Sequence, residues 1–182
     1  MIVSLFERGA GPAAVLMRWW QRCPFAHVKT AFLLPTGTWK ILDVLGDKNR
    51  VAWRDPLPAD ARARTLTFAD ELDPASEARA AAFAAAQHGK GYDYAGIAAF
   101  LLRQDRTAAE LQREREGREV WFCSEMDFVI AAKAGQALYA RMQPFECSVR
   151  DAWVSPVRRE IPNPVQLTGV VAPTATGQRT EI

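Results

Sequence analysis

"REVWFCSEMDFVIAAKAG", residues 118–135, decides how the chain is read. Trp121 and Phe122 form a short aromatic run, Cys123 follows, and a helix-like pattern begins at once, with Gly135 as its stop. A cysteine at such a junction has two explanations. It is a small buried residue, or it is a thiolate held at a helix N-terminus, where unpaired N–H groups and the helix dipole favour negative charge. A free thiol titrates near ~8.5 and is mostly protonated at neutral pH, so the second explanation needs an imidazole partner. It also needs a third polar group to orient that imidazole.

His27 is the better of the two histidines. It opens a strand-like run, "HVKTAFLL", and the next strand-like run, "TWKILDVLG", carries Asp43. "PTG" between them is a turn. A three-residue loop with Gly37 in the left-handed conformation pairs Leu34 with Thr38. Residue 29 then lies opposite 43, and His27 and Asp43 fall on one sheet face as diagonal neighbours, roughly 7–8 Å apart at the backbone. A two-residue loop would put them on opposite faces. Asp43 also has a plain reading as a sheet-edge charge facing water.

The bulk numbers fit one domain. The chain has 182 residues, 49% hydrophobic, which is enough for one core and hardly for two. A net charge of +2, spread among Asp and Glu, argues against a nucleic-acid footprint. Three cysteines, Cys23, Cys123 and Cys147, do not form a disulfide framework. Two histidines and no Cys-x-x-Cys argue against a structural zinc site, and nothing calls for a cofactor. The N-terminus lacks a basic segment followed by an unbroken apolar core, and no apolar run nears the ~20 residues of a membrane span. The expectation is a soluble protein made in the cytoplasm without a signal peptide, with export by another route, such as a phage particle, left open.

Along the chain, "GPAAVLMRWWQRC" (11–23) spaces Val15, Leu16, Trp19 and Trp20 as one face of a short helix, with Pro12 near its start. "NRVAWRD" and "ARTLTFA" read as further strands. "DPASEARAAAFAAAQHG" reads as a helix with Asp73-Pro74 as cap and first turn and Gly89 as stop. "GKGYDYAG" follows, where glycines let the backbone come close to something and Tyr92 presents a group to a cleft. Residues 103–119 read as a charged helical insertion with a Thr107–Glu110 capping box. "ECSVRDAWVSP" (146–156) reads as a short helix with Ser148 and Asp151 at box spacing. The domain is set at 1–161, with 162–182 as an extended or disordered tail.

"HVKTAFLL…TWKILDV", then "GYDYAGIAAFLL", then "WFCSEMDFVIAAKAG" together resemble the circularly permuted branch of the NlpC-type papain-like cysteine peptidases, the YiiX-like group. Lecithin retinol acyltransferase-like proteins share that order. The resemblance covers roughly residues 25 to 156. It implies an α+β permuted papain-like fold, an antiparallel sheet packed against helices, with the nucleophile at a helix N-terminus. It implies Cys123 as nucleophile, His27 as general base and Asp43 as the orienting residue, where relatives often carry Glu. Tyr92 corresponds to the tyrosine that lines the cleft. Glu125 reads as a first-turn residue favourable to the helix dipole, and His88 as a helix-end residue.

The resemblance implies a cysteine peptidase or amidase that cleaves amide bonds, with cell-wall peptides as first substrate class, through a thioester. The alternative with the same triad is a lipid acyl hydrolase or acyltransferase, for which Trp19, Trp20 and Phe25 would suit an acyl chain. A third reading is a non-catalytic phage structural module that kept the fold.

Overall fold

The computed structural model describes residues 1–45, 48–102 and 119–167. The expected insertion (103–119, with its Thr107–Glu110 box) lies almost wholly outside them, as does the tail from 168. The described residues are mixed α and β, built on a six-stranded antiparallel sheet.

The strands are β1 (Ile2–Glu7), β2 (His27–Leu33), β3 (Trp39–Leu45), β4 (Arg50–Arg54), β5 (Arg64–Phe68) and, late in the chain, β8 (Arg158–Ile161). Their order is β4-β3-β2-β1-β5-β8. A short parallel pair, β6 (Gly91–Tyr92) with β7 (Val120–Trp121), stands apart. The helices are α1 (Gly11–Gln21), α2 (Pro74–Ala85), α3 (Tyr94–Leu101), α4 (Cys123–Lys133) and α5 (Val149–Val154).

The β2–β3 turn follows the expected geometry. Gly37 has φ +79°, the Leu34 N–H donates to Thr38 O at 2.9 Å, and the Gly37 N–H donates to Leu34 O at 2.9 Å. The ladder runs from Leu33–Trp39 to Thr30–Leu42, so His27 and Asp43 lie just beyond its last pair, on one face. β1 was not anticipated. It is a central strand, buried on both faces from Ile2 to Phe6, so its sequence shows no alternation to mark it.

One sheet face carries Phe6, Val28, Phe32, Leu42, Val44 and Leu66 against α2, α4 and α5. The other carries Val3, Leu5, Ala31, Trp39 and Ile41 under Ala63 and Val165. Val165 and Asn163, at the start of the expected tail, pack on the domain: Asn163 Nδ2 donates to Asp60 O at 2.9 Å and to Ala63 O at 3.2 Å. The helix caps follow the sequence signals. Asp73 Oδ1 accepts from the Ser76 N–H at 2.9 Å, Ser148 Oγ accepts from the Asp151 N–H at 3.0 Å, and Gly135 has φ +77°.

α4 is pinned to the sheet by a buried carboxylate. Asp127 Oδ1 accepts from Ser4 Oγ at 2.6 Å and Thr30 Oγ1 at 3.2 Å, and Oδ2 pairs with Arg158 at 2.8 Å. This fixes the first turns of α4 over β1 and β2, and with them the position of Cys123. No helix among the described residues is long and apolar enough to cross a membrane.

Candidate active site

α4 begins at Cys123. Phe122 is extended (φ −111°, ψ 164°) and serves as the cap position, so the Cys123 amide belongs to the group of N–H donors that a helix start leaves without intrahelical partners. Glu125, fully buried, reaches back to the Phe122 N–H at 3.5 Å, half of a capping box. Ser124 donates to Cys147 O at 2.7 Å, which ties the helix start to the segment before α5.

His27 stands between Cys123 and Asp43. Its Nε2 meets Asp43 Oδ1 at 2.8 Å, and Cys123 is near enough for its charge and hydrogen bonding to act on the ring. Burial pushes the imidazole toward its neutral form. The charge of Cys123, the hydrogen bonds from both partners and the charge of Asp43 outweigh that and carry its pKa from 6.5 up to about 10. The ring still keeps 23% of its surface exposed, which leaves a substrate room to reach it.

Asp43 does not face water; it is 2% exposed. Burial opposes its ionisation, but the hydrogen bond and charge of His27, then Lys29 and Arg54, hold its carboxyl below the ordinary carboxylate value. Arg54 Nε and Nη2 donate to Asp43 Oδ2 at 3.1 and 3.0 Å, and Nη1 and Nη2 donate to Asp60 at 2.6 and 2.8 Å. Lys29 Nζ lies 2.7 Å from Glu7, 3.1 Å from Asp60 and 3.6 Å from Asp43. Two fixed cations therefore face three carboxylates, one positive charge short, and a protonated His27 supplies it.

This network was not foreseen. Lys29 and Arg54 are signalled only once the register is known: 29 lies opposite 43, and Arg54 pairs with Ile41, one diagonal from Asp43. Asp60 comes from the loop before β5, and no periodicity marks it.

Tyr92 reaches the site through the β6–β7 pair. The Gly91 N–H donates to Glu119 O at 2.8 Å and the Asp93 N–H to Trp121 O at 2.9 Å, which sets Tyr92 beside the segment that leads into Cys123. A Cβ on Gly91 would come within 3.0 Å of Val120 Cγ1, so glycine spares that side chain a shift. Burial, then the charges of Cys123 and Tyr94, raise the Tyr92 phenol, which stays a hydrogen-bond donor.

A cavity of about 260 Å³ opens at Cys123. Its walls are apolar: Leu16 and Met17 from α1, Ile97 and Phe100 from α3, and Phe122, with Tyr92 at one side. Trp19, Trp20 and Phe25, the residues expected to suit an acyl chain, do not line it. Trp20 stacks on Phe100 (5.0 Å between centroids) and Phe25 is buried against Phe6 and Trp153.

The other candidates do not contact the His27–Asp43 pair. His88 Nδ1 accepts from the Trp53 N–H at 3.3 Å. Cys23 and Cys147 are free and buried, and burial raises both thiols. The arrangement can hold a proton on an imidazole between sulfur and carboxylate, present helix-start amides to a developing oxyanion, and take an apolar group beside the sulfur. Comparison with known proteins gives no match: neither a family model nor a curated protein matches the chain.

Proposed function

We propose that the chain is a papain-like thiol hydrolase of the permuted kind, with Cys123 as nucleophile, His27 as general acid and base, and Asp43 as the residue that orients His27. The observation that carries this reading is His27 bridging Cys123 and Asp43 from a strand remote in sequence. The order of a histidine strand, an aspartate strand and then a cysteine helix fits a permuted papain-like arrangement.

His27 takes the proton of Cys123. The thiolate attacks an amide carbonyl, and the oxyanion forms against the Cys123 N–H, with the Tyr92 hydroxyl as a second donor. His27 then protonates the leaving amine, a thioester remains, and water activated by His27 releases the acid. Cell-wall peptide amides are the first substrates to test. Purified peptidoglycan fragments are cleaved by the wild type and left intact by Cys123→Ala; cleavage by both proteins contradicts the reading.

The apolar cavity favours a second reading with the same chemistry, in which the acyl group carried by Cys123 is a hydrocarbon chain. Its volume is that of about nine waters at roughly 30 Å³ each, enough for a medium-length chain. Release of fatty acid from phospholipid vesicles, with peptidoglycan fragments untouched, selects it.

A further inference from the structure

α1 turns its apolar stripe the wrong way for a core helix. Pro12, Val15, Leu16 and Trp19 recur at helical spacing, and all four face solvent, with Val15 and Leu16 54% and Trp19 75% exposed. The sequence pattern marked one apolar face, and the structure leaves it open to solvent. Within α1 and the residues that flank it the charge is of one sign. Residues 8–22 contain Arg8, Arg18 and Arg22 and no acidic residue. Arg18 donates to the carbonyls of Arg8 and Gly9, which fixes the loop before α1. Arg150, from α5, borders with Arg18, Arg22 and Trp19 an open groove of about 980 Å³.

We infer that α1 docks on an anionic lipid surface, with Val15, Leu16 and Trp19 entering the headgroup and acyl boundary and Arg22 and Arg150 meeting lipid phosphates. A short helix with tryptophan and branched aliphatics on one exposed face, flanked by arginine, matches what that boundary accepts. A second copy of the chain fits less well, because a two-fold contact through this face sets the same arginines against each other. The position also has a use. Leu16 lies on the exposed ridge and in the wall of the cavity at Cys123, so a lipid chain leaving the boundary meets an unbroken apolar path to the sulfur. Docking rests on the surface of α1 alone; only its use depends on the acyl reading.

The test is flotation of the full chain with extruded vesicles, phosphatidylglycerol mixed with phosphatidylcholine against phosphatidylcholine alone. The wild type and Cys123→Ala float with the anionic vesicles and scarcely with the neutral ones. The double variant Val15→Ser/Trp19→Ala lowers the bound fraction about tenfold with its melting temperature unchanged. Arg22→Glu/Arg150→Glu does the same, and added salt weakens the wild type. The inference is overturned if the wild type stays unbound, if the apolar double variant floats as well as the wild type, or if the chain is a dimer that Trp19→Ala dissolves. Loss of hydrolysis in Cys123→Ala with flotation kept separates the two readings: either can fail while the other stands.

Discussion

Arg54 holds Asp43 from behind: two of its nitrogens meet Asp43 Oδ2 at 3.1 and 3.0 Å while Asp43 Oδ1 meets His27 at 2.8 Å. One carboxylate is thus divided between a fixed cation and a titrating ring. The guanidinium reaches Asp60 with the same fork, so the aspartate that orients the imidazole is itself anchored to the loop before β5.

Removing the guanidinium leaves two buried carboxylates short of a partner. Arg54→Met is expected to cost about 3–5 kcal/mol in urea unfolding. Arg54→Lys falls between it and the wild type, because an ammonium cannot bond both carboxylates as a planar fork does. Equal stability of all three proteins contradicts the role given to the network.

The pH dependence of stability has two limbs. His27 rises from 6.5 to about 10 on folding, so its contribution is complete below pH 6.5 and is lost as pH climbs toward 10. Asp43 and Asp60 are lowered, so theirs is present above the ordinary 3.8 and lost as pH falls below it. Denaturant unfolding across pH 3 to 10 should show both limbs, and His27→Gln should flatten the alkaline one and, since His27 helps to hold Asp43 down, soften the acid one.

Asp127 tests how α4 is placed. It is 1% exposed and joins Ser4, Thr30 and Arg158. Asp127→Ala strands Arg158 and is expected to cost about 3–5 kcal/mol. Residual activity at low temperature should also fall, since the start of α4 loses its tie to the sheet. A variant as stable and as active as the wild type rejects that placement.

Much of the frame was legible in the sequence. Read as a three-residue loop, Pro35-Thr36-Gly37 gives the β2–β3 register that the structure shows, and parity then puts His27 and Asp43 on one face; a two-residue loop would not have done so. Capping residues marked α2, α4 and α5. What escaped has physical reasons. β1 is apolar on both faces, so no alternation shows it. α1 has helical spacing, but spacing alone does not say which way a stripe points, and this one points outward. Lys29 lies on a strand well before Arg54 and Asp60, and only the folded sheet brings the three charges behind Asp43.

The cavity makes a specificity prediction. Ile97→Trp fills space beside Cys123, and kcat/KM for a medium-length acyl ester should fall about tenfold or more relative to an acetyl ester. A peptide substrate that does not enter the cavity is cleaved as before. Equal effects on both esters assign the cavity no part in substrate choice.

The central claim is an ion pair between Cys123 and His27, and the rate of iodoacetamide alkylation at pH 6 reads it most directly. Cys23 and Cys147 are buried with raised thiols and contribute little signal. The account predicts that Cys123 alkylates at pH 6 well above the rate of an unperturbed thiol, and that His27→Ala brings it down to that rate. A Cys123 that reacts at pH 6 no faster than an ordinary cysteine, with or without His27, contradicts it.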